Sequence, residues 1–364
     1  MKIECIQEKI KKAVSQAERV AGKNLNLPVL SCVLIRAEKG QVAVSSTDLD
    51  LGYHTNVAAK VYEEGVVAVP AKPLASFFAN LTGKNITLKT EGNTLFVTTS
   101  KNKTTIKCLP PDDFPTIPEA GKDNCFDINS AELVRGLRAV WYSSSNSNIK
   151  AELSSVFVYP EDDSVVFAAT DSFRLAEKKI KNKTPNFGNI LIPFKNTQEI
   201  IKVLEEGDES VRVCINKNQI TIFSESTTLT SRVVDGTFPD YHQIIPKEFK
   251  TEAVLLKDDL LRALKIATIF SDTFNQVNIT VVPRDKKFEL TTKNNNIGES
   301  TTVLDAAISG EPTEANFNYR YIADCLQSIS TDSVSLAFSG PSRPVVIKGV
   351  GDKSFMYLVM PMNR

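Results

Sequence analysis

The sequence is poor in the residues that most often carry out chemistry. It has two histidines, His54 and His242, and neither has a cysteine or a second histidine at the spacing of metal ligands. This argues strongly against histidine triads, histidine-rich metal sites and most general-base chemistry by histidine. We expect both histidines to be ordinary surface or turn residues, and we expect no cofactor and no bound metal.

Long apolar runs and targeting signals are missing as well. No stretch of about 18 apolar residues occurs, so a transmembrane helix is not expected. The first residues include the acid Glu4 and no apolar core of the signal-peptide kind. No Cys-x-x-Cys pair occurs, so we expect six buried free thiols in a reducing cytoplasm. These cysteines are Cys5, Cys32, Cys108, Cys125, Cys214 and Cys325.

Neither sign of charge is in excess. Lys plus Arg and Asp plus Glu each number 43 in 364 residues, which gives a formal net charge of zero. Zero net charge is a poor sign of nucleic-acid binding, although a neutral protein can still be positive on one face. The hydrophobic content of 42% and the charged content of 24% are typical of a globular protein. The length suggests two or three domains.

One pattern is present three times. Each copy opens with a short alternating strand and an amphipathic helix, continues with a second strand–helix pair, and closes with alternating strands joined by tight turns. The opening strands lie at Lys2–Ile6, Cys125–Ile128 and Ala253–Leu256. Ser130 and Asp258 are the expected N-caps of the second and third opening helices. The pattern predicts an α+β fold built from three similar domains.

Two proline-rich segments separate the copies. Residues 109–118 and 235–246 share an Asp…Phe-Pro…Ile-Pro pattern, so they belong to the repeat. The predicted domains are therefore 1–121, 122–249 and 250–364. The periodicity alone leaves open whether the three domains close into a ring or form a simple row.

An enzyme and a repeat-built structural or adhesive protein are the alternatives. The absent signal and the unpaired cysteines count against an adhesive protein. No phosphate-binding glycine loop, nucleophile elbow or H-E-x-x-H motif supports an enzyme. Neighbouring acids without supporting ligands remain, and we expect them to be solvated turn residues. They are Asp48 with Asp50, Asp112 with Asp113, and Asp162 with Asp163.

Several motifs resemble the bacterial replicative DNA polymerase beta subunits, the sliding clamps, and the resemblance runs the full length of the chain. The strongest is Ala-Thr-Asp-Ser-Phe-Arg-Leu-Ala at 169–176. Others are Asp-Gly-x-Phe-Pro-Asp-Tyr at 235–241 and the ending Phe-Met-Tyr-Leu-Val-Met-Pro-Met at 355–362. Leu-Pro-Val-Leu at 27–30 and Thr-Asp-Leu at 47–49 also fit.

The resemblance implies a non-catalytic, head-to-tail homodimeric ring of three-domain subunits, with helices lining the hole and antiparallel sheets outside. Such a ring encircles duplex DNA without reading its sequence and confers processivity on the polymerase. The implied partners are duplex DNA, a second copy of the chain, the replicative polymerase, the clamp loader, other polymerases, and mismatch-repair and ligation proteins. No membrane is implied, and the location is the bacterial cytoplasm, near the nucleoid.

The resemblance also implies three sets of site residues. Family members bind short linear peptides in a groove between the second and third domains. The matching positions are Leu153, Thr170, Ser172, Phe173, Arg174, Leu175, Pro239, Ile244, Phe274, Asn318, Tyr321, Ser342, Pro344, Val359, Met360, Pro361 and Met362. The DNA-facing candidates are Lys12, Arg19, Lys23, Asn24, Lys72, Arg135, Arg138, Lys150, Lys195, Lys202, Arg262 and Lys265. The dimer-contact candidates are Thr104, Ile106, Ile269 and Phe270.

The chain departs from the family pattern at a few of these positions. Ser172 and Phe173 stand where glycine and histidine are common, and Lys150 stands where arginine is frequent. Gln243 and Asn24 occupy positions where basic residues occur in the family. The expected groove therefore follows the family more closely than the expected DNA contacts do. Within the groove, Arg174 and Asn318 are expected to bind oxygens of the peptide.

Overall fold

The structure is a computed structural model, and it describes residues 1–22, 26–38, 40–118, 121, 124–147, 149–183, 187–205 and 210–362. Across these residues the chain forms strands, six α-helices and three short 3-10 turns. All of the strand pairings are antiparallel. This agrees with the predicted α+β class.

The strands fall into three groups along the chain. The first group is β1 (Lys2–Ile6), β2 (Cys32–Glu38), β3 (Gln41–Thr47), β4 (Leu51–Glu63), β5 (Gly65–Pro70), β6 (Asn85–Glu91), β7 (Thr94–Thr98) and β8 (Lys103–Lys107). The second is β9 (Cys125–Asn129), β10 (Ser155–Glu161), β11 (Ser164–Thr170), β12 (Arg174–Lys181), β13 (Ile190–Pro193), β14 (Ser210–Ile215), β15 (Gln219–Phe223) and β16 (Thr227–Arg232). The third is β17 (Thr251–Leu256), β18 (Gln276–Val282), β19 (Lys287–Asn294), β20 (Gly298–Leu304), β21 (Ala306–Gly310), β22 (Thr313–Asn318), β23 (Ser333–Phe338), β24 (Val345–Gly349) and β25 (Phe355–Val359).

Two helices accompany each group of strands, as the repeat predicts. They are α1 (Gln7–Val20), α2 (Ala71–Ala79), α3 (Ser130–Val140), α4 (Phe194–Leu204), α5 (Lys257–Ile269) and α6 (Tyr319–Leu326). The 3-10 turns are Pro28–Ser31, Trp141–Ser143 and Tyr241–Ile244. Apolar residues spaced three and four apart bury one face of each opening helix, and Ile10 and Val14 of α1 are fully buried.

The predicted N-caps are wrong by one or two residues. Ser130 is the first residue of α3, and its hydroxyl donates to the carbonyl of Leu204 at 3.1 Å instead of capping the helix. The side chain of Asn129 accepts from the amide of Ala131 at 2.9 Å in its place. Asp258 lies inside the first turn of α5, where its charge favours the positive helix end without capping it.

Residues 1–131 and 195–233 form one compact unit, called unit 1 below. Its twelve-stranded sheet has the order β8-β7-β6-β1-β4-β16-β15-β14-β9, with β3 beside β4 and β2 between β3 and β5. The pairing of β4 with β16 joins strands that lie far apart in sequence, since Leu229 stands opposite Tyr53. Strands of the first repeat and half of the strands of the second thus share one sheet.

Residues 132–194 and 234–364 form the other compact unit, called unit 2. Its nine-stranded sheet has the order β13-β10-β11-β12-β25-β24-β23-β17-β21, and a four-stranded sheet has the order β20-β19-β18-β22. Here β12 pairs with β25, and Leu175 stands opposite Leu358. The units therefore cut through the second predicted domain, because sheet pairing crosses the repeat boundaries. The domain boundaries drawn from sequence stay a prediction.

One tight turn occurs in both units with the same hydrogen bonds. In unit 1, Thr47 Oγ1 donates to the Leu51 carbonyl at 2.8 Å, and Asp48 Oδ1 accepts from the amides of Asp50 and Leu51 at 3.0 and 2.7 Å. In unit 2 the same four-residue spacing returns. Thr170 Oγ1 donates to the Arg174 carbonyl at 2.6 Å, and Asp171 Oδ1 accepts from the amides of Phe173 and Arg174. We call this the Thr-Asp turn.

The third residue of each Thr-Asp turn has a left-handed backbone, with φ of 80° at Leu49 and 79° at Ser172. Residues other than glycine rarely adopt this backbone conformation, because it costs them about 1–2 kcal/mol. The threonine and aspartate hydrogen bonds offset that cost. The first two repeats therefore share this turn down to its individual hydrogen bonds.

The expectation of six free thiols is wrong for two of them. Cys125 and Cys214 form a disulfide, and they stand directly opposite each other on β9 and β14 with Cα atoms 4.1 Å apart. Directly opposed positions bring two Cβ atoms close enough for this bond. The other four cysteines, Cys5, Cys32, Cys108 and Cys325, are free and buried as expected. Burial raises the pKa of Cys5 to about 12 and that of Cys32 to about 11.

The histidines and the paired acids take ordinary positions. His242 lies in an exposed turn as predicted, whereas His54 lies half-buried within β4, with Nδ1 2.9 Å from Ser45 Oγ. The acid pairs lie in turns, and Asp162 has the positive φ of a hairpin turn. Within the described part of the chain, no group of three or more histidine, cysteine or acidic residues is arranged to hold a metal.

We predict that replacing Asp48 with alanine lowers the thermal midpoint of unfolding by roughly 2–4 °C, because two turn amides lose their acceptor at a cost of about 1 kcal/mol. Asp48→Asn is the matched control, since it keeps the acceptor oxygen, and it should retain most of the stability. Scanning calorimetry measures both variants. An alanine variant as stable as the parent would show that the aspartate does not hold the turn.

Candidate functional site

The Thr-Asp turn of unit 2 presents an exposed aromatic side chain. It connects β11 to β12, and its left-handed residue, Ser172, directs the chain so that Phe173 is 61% exposed. A large apolar side chain is rarely left in water without a role in recognition when others lie around it. The turn therefore forms one wall of the predicted groove.

The end of the chain forms a second wall. Beyond β25, the amide of Met360 donates to the carbonyl of Phe173 at 2.8 Å. Two residues later, the amide of Met362 donates to the carbonyl of Asn316 at 2.7 Å. These bonds hold Met360, Pro361 and Met362 in an extended course, half-buried, between the Thr-Asp turn and β22. The structure thus brings the predicted terminal residues and the turn together.

An apolar layer underlies these walls. Its buried members come from β11, β12, β13, β24 and β25 and from the segment 235–246. They are Ala168, Leu175, Leu191, Phe238, Tyr241, Val346, Met356 and Leu358, and Met360 and Ile245 pack against them. Leu153, Pro344 and Val359, which the sequence predicts as lining residues, are also buried. These residues support the groove from below.

The most exposed apolar residues of the predicted set are Phe173, Phe274 and Ile244, and Pro239 is exposed as well. Phe274, at 68% exposed, follows α5 in a loop that is tied to α6, because the carbonyl of Asn275 accepts from the amide of Tyr319 at 2.9 Å. Ile244, at 48% exposed, ends the 3-10 turn of the segment 235–246. Aromatic and aliphatic side chains presented in this way fit an apolar anchor of a bound peptide.

Arg174 donates to three acceptors within unit 2, and its predicted role in binding a peptide stays a prediction. Its Nε donates to Asp171 Oδ2 at 2.9 Å, its Nη1 to Asp324 Oδ2 at 2.7 Å, and its Nη2 to the carbonyl of Tyr142 at 2.5 Å. Its guanidinium also lies 4.5 Å from the ring centroid of Tyr321. These hydrogen bonds use three of the five N–H groups of the guanidinium, and they join three segments of unit 2.

The charge of Arg174 is stabilised by these neighbours. Burial alone lowers the pKa of this group. Tyr357, Asp171 and Asp324 outweigh that effect and raise it above its usual value. A buried charge is tolerated when its hydrogen bonds are satisfied in this way.

Two residues of the predicted set, Asn318 at the end of β22 and Tyr321 in α6, have different roles. Asn318 Oδ1 accepts from the amide of Arg320 at 3.0 Å and caps α6, so this oxygen is already used. Tyr321 lies half-exposed with its ring over Arg174. Burial raises the pKa of Tyr321, and the negative charge of Asp171 adds to this, so its hydroxyl remains a donor.

A cavity of about 290 Å³ adjoins the terminal residues. Ser342, Pro361 and Met362 of the predicted set line it, together with Pro341 and residues of two paired strands that sequence reasoning missed. The missed residues are Asn278, Glu314, Ala315 and Asn316. The outward positions of β18 and β22 carry this signal, since Asn278 Nδ2 donates to Glu314 Oε1 and to Asn316 Oδ1 at 3.0 Å each. Polar residues alternating along two strands mark a polar end to an otherwise apolar groove.

Three of the predicted basic residues of unit 1 lie together on one concave surface. Lys12, Arg19 and Lys202 line a depression of about 360 Å³, together with Glu8, Lys11, Ser15 and Gln16. Helices α1 and α4 meet beside it, where Gln16 Nε2 donates to the carbonyl of Val203 at 3.4 Å. Lys72 and Lys195 are exposed elsewhere on unit 1. The candidates Lys23 and Asn24 lie outside the described residues.

Several of the basic candidates form ion pairs within their own helices. Lys202 Nζ lies 2.7 Å from Glu199, and Arg135 Nη2 lies 2.5 Å from Glu132. Arg262 pairs with Asp259 in the same three-residue spacing. The other candidates of unit 2, Arg138, Lys150 and Lys265, are exposed. Exposed pairs of this kind contribute little stability, and they reduce the net positive charge of the helix surface.

The dimer-contact candidates lie at sheet and helix ends. Thr104 and Ile106 are half-buried on β8, the strand at one end of the unit 1 sheet. Ile269 ends α5 with 62% exposure, and Phe270 follows it, half-buried, beside the start of β20. β20 stands at one end of the four-stranded sheet. Sequence reasoning missed two exposed apolar residues here, Ile297 immediately before β20 and Val303 on it, which are 61% and 60% exposed.

Comparison with protein families matches almost the whole chain. Residues 1–118, 127–240 and 242–363 match the N-terminal, central and C-terminal domains of the DNA polymerase III beta subunit. The chain belongs to the DNA polymerase III beta subunit family. As a member of this family it is a non-catalytic processivity subunit, a sliding clamp of DNA polymerase III, with the three-domain clamp fold.

Individual relatives agree with this assignment. The chain is 28% identical over 372 residues to the beta sliding clamp of Synechococcus elongatus, covering 100% of this chain and 99% of the relative. It is 27% identical over 371 residues to that of Escherichia coli, covering 100% of both. The crystal structure of the beta subunit from Thermotoga maritima has a TM-score of 0.95 at 23% identity, covering 100% of this chain and 99% of that one. The sliding clamp of Pseudomonas aeruginosa bound to griselimycin has a TM-score of 0.94 at 24% identity, covering 100% of both chains.

No helix among the described residues has both the length and the apolar character needed to cross a bilayer.

We predict that Arg174→Ala destabilises unit 2 by about 3–5 kcal/mol, because it leaves Asp171, Asp324 and the Tyr142 carbonyl without their shared donor. Arg174→Lys should recover only a small part of the lost stability, since an ammonium cannot reproduce the three directed hydrogen bonds. Chemical denaturation followed by fluorescence measures this. Full recovery by lysine would show that charge alone is required.

Proposed function

We propose that two copies of this chain join head to tail into a ring that encircles duplex DNA. The domains are 1–121, 122–249 and 250–364, and the helices face the DNA. The ring carries the replicative polymerase and other partners, including the clamp loader, other polymerases, and mismatch-repair and ligation proteins, through peptides bound in the unit 2 groove. The work takes place in the bacterial cytoplasm, where the chromosome is replicated. The observation that carries the proposal is the family match over three successive domains.

The exposed basic residues of the helices support the placement of DNA. Cations attract phosphates regardless of base sequence, so contacts of this type hold DNA without fixing its register. The neutral total charge of the chain and the pairing of Lys202, Arg135 and Arg262 with nearby acids keep this attraction weak. Weak attraction is suited to sliding, because topological enclosure, and not affinity, prevents dissociation.

The ends of two sheets support the head-to-tail contact. β8 and β20 each carry backbone groups along one side that face no further strand of their own sheet. An antiparallel pairing between β8 of one copy and β20 of the next would satisfy these groups and continue the sheet. Lys103 and Lys107 are exposed on β8, and Glu299 is exposed on β20, so the charges are complementary. Val303 and Phe270 would add apolar contact beside the pairing.

The groove of unit 2 supports the binding of peptides. Exposed Phe173, Phe274 and Ile244 surround an apolar layer, and the methionines at its edge adapt to differently shaped anchors. The polar cavity around Asn278 and Asn316 is suited to peptide amides or hydroxyls. The clamp of Pseudomonas aeruginosa is known bound to griselimycin, so we use this compound as a probe of ligand binding here.

Retention on circular DNA is the decisive test of the ring. The labelled chain is loaded onto nicked circular duplex by a clamp loader and ATP, and bound protein is separated from free protein by gel filtration. We expect the chain to remain on the circle and to leave within minutes when a restriction enzyme linearises it. A linear duplex with a protein block at each end is the control, and it should retain the chain. Equal release from circular, open linear and blocked linear DNA would reject enclosure.

The dimer contact and the groove can be separated with two matched substitutions, Phe270→Arg and Phe274→Arg. We expect Phe270→Arg to yield monomers, because it places a charge in the apolar contact beside β20. Phe274→Arg lies four residues later, and it should keep the dimer mass and weaken griselimycin binding by about tenfold or more, the loss typical of a hot-spot side chain. Light scattering and calorimetry measure the two effects. A dimer from Phe270→Arg, or unchanged binding by Phe274→Arg, would reject the corresponding assignment.

A further inference from the structure

A buried hydrogen bond connects the segment 235–246 to the sheet beneath the groove. Tyr241, 3% exposed, donates from its hydroxyl to Glu177 Oε2 at 2.6 Å. The hydroxyl of Tyr159 lies 2.8 Å from the same tyrosine oxygen. Glu177 is 8% exposed on β12, two residues beyond Leu175. A carboxylate rarely lies this deep in a protein without a specific partner.

Neighbouring groups surround Glu177 and stabilise the proton of Tyr241. Lys179 Nζ lies 4.0 Å from Glu177 Oε1 and also pairs with Glu161. Burial raises the pKa of Tyr241 well above its usual value, and the charge of Glu177 raises it further. Tyr241 therefore stays protonated and donates, and the bond has the strength of a charge-assisted hydrogen bond.

Tyr241 is the first residue of the 3-10 turn that ends at Ile244. Residues three apart lie above one another in such a turn, so the place of the tyrosine determines the place of the isoleucine. Asp240 stiffens the turn, because its side chain accepts from the His242 amide at 3.3 Å and from Gln243 Nε2 at 2.9 Å. Among Tyr241, His242, Gln243 and Ile244, only Tyr241 is buried.

The proline-rich segment of the first repeat provides an internal comparison. Residues 109–118 have the same Phe-Pro and Ile-Pro pairs, but only Thr116 separates Pro115 from Ile117. The second segment has five residues, from Asp240 to Ile244, between Pro239 and the Ile245-Pro246 pair, and these include the tyrosine. The structure forms no 3-10 turn at 109–118. The turn and its anchor are thus additions specific to the repeat that carries the groove.

We propose that Tyr241 and Glu177 are positioning residues for peptide binding: their hydrogen bond holds the 3-10 turn so that Ile244 forms part of the groove. This inference rests on the proposed peptide-binding function. Neither residue touches the peptide. Each acts through the turn, and Phe238, which stacks on Phe157 with ring centroids 4.7 Å apart, holds the other end of the segment near Pro239.

The test uses the full-length chain and two probes, griselimycin and a fluorescein-labelled peptide with leucine and phenylalanine anchors. Tyr241→Phe removes one hydroxyl and keeps the packed ring. We expect it to weaken binding of both probes by about fivefold to tenfold, as loss of one hydrogen bond to a charged group does when its effect reaches the binding surface. Glu177→Gln keeps an acceptor oxygen, so it should retain most of the affinity that Glu177→Ala loses.

A double-mutant cycle distinguishes positioning from general stability. Ile244→Ala should weaken binding strongly in the parent chain and only about twofold in the Tyr241→Phe chain, because the isoleucine is already displaced there. Tyr53→Phe is the matched control. Its hydroxyl donates to Gln16 in unit 1 at 2.9 Å, so it loses a comparable buried bond outside the groove and should bind both probes normally.

The possible outcomes distinguish the positioning role of Tyr241 and Glu177 from the proposed peptide-binding function. If the parent chain binds the probes, two results would overturn the positioning role and leave the peptide groove standing. One is unchanged affinity in Tyr241→Phe, and the other is fully additive losses in the cycle. Failure of the parent chain to bind either probe would overturn both. Reduced affinity with the expected coupling to Ile244 supports the role.

Discussion

Backbone pairing across repeat boundaries is the constraint on which the rest of the structure depends. A strand at a sheet edge leaves N–H and C=O groups without partners, and each repeat has such strands. β16 of the second repeat pairs with β4 of the first, and β25 of the third pairs with β12 of the second. Both junctions form at the same place in the repeat, immediately after a Thr-Asp turn. The groove is a consequence of this pairing, since β25 delivers the chain end to the turn at Phe173.

The two junctions share a backbone and differ in their side chains. At the second, the amide of Met360 donates to the carbonyl of Phe173 at 2.8 Å, and at the first the amide of Arg232 donates to the carbonyl of Asp50 at the same distance. The first junction therefore places Arg232 and Asp50, with their charged groups 3.8 Å apart, where the second places a methionine and a phenylalanine. Identical main-chain geometry yields an ion-paired surface in one case and an apolar groove in the other.

The periodic patterns of the sequence predicted the strands and helices, but they did not predict contacts between residues far apart in the chain. The strands and helices follow from alternation and from apolar residues three and four apart, so both helices of each repeat lie where the pattern indicates. The disulfide between Cys125 and Cys214 depends on the register of strands 89 residues apart, which no local pattern reveals. The hydrogen bonds of Arg174 reach acceptors 3, 32 and 150 residues away, so the family motif identified the residue without its partners in the fold. Single residues of the groove could be identified from motifs, but their division into exposed rim and buried support required the packing.

Net charge was a second property that the sequence alone could not interpret, because it does not show where the charges lie. Zero net charge argues against DNA binding when the chain is treated as uniform, yet Lys12, Arg19 and Lys202 lie together on one concave surface. A tight DNA-binding surface would concentrate cations and exclude acids. Here Glu8 lies in the same depression, and Glu199 pairs with Lys202. For a protein that must stay on DNA and still move along it, acids placed among the cations lower the cost of leaving each phosphate for the next. The neutral composition is therefore compatible with the proposed enclosure of DNA, because a closed ring would not depend on strong attraction to remain bound.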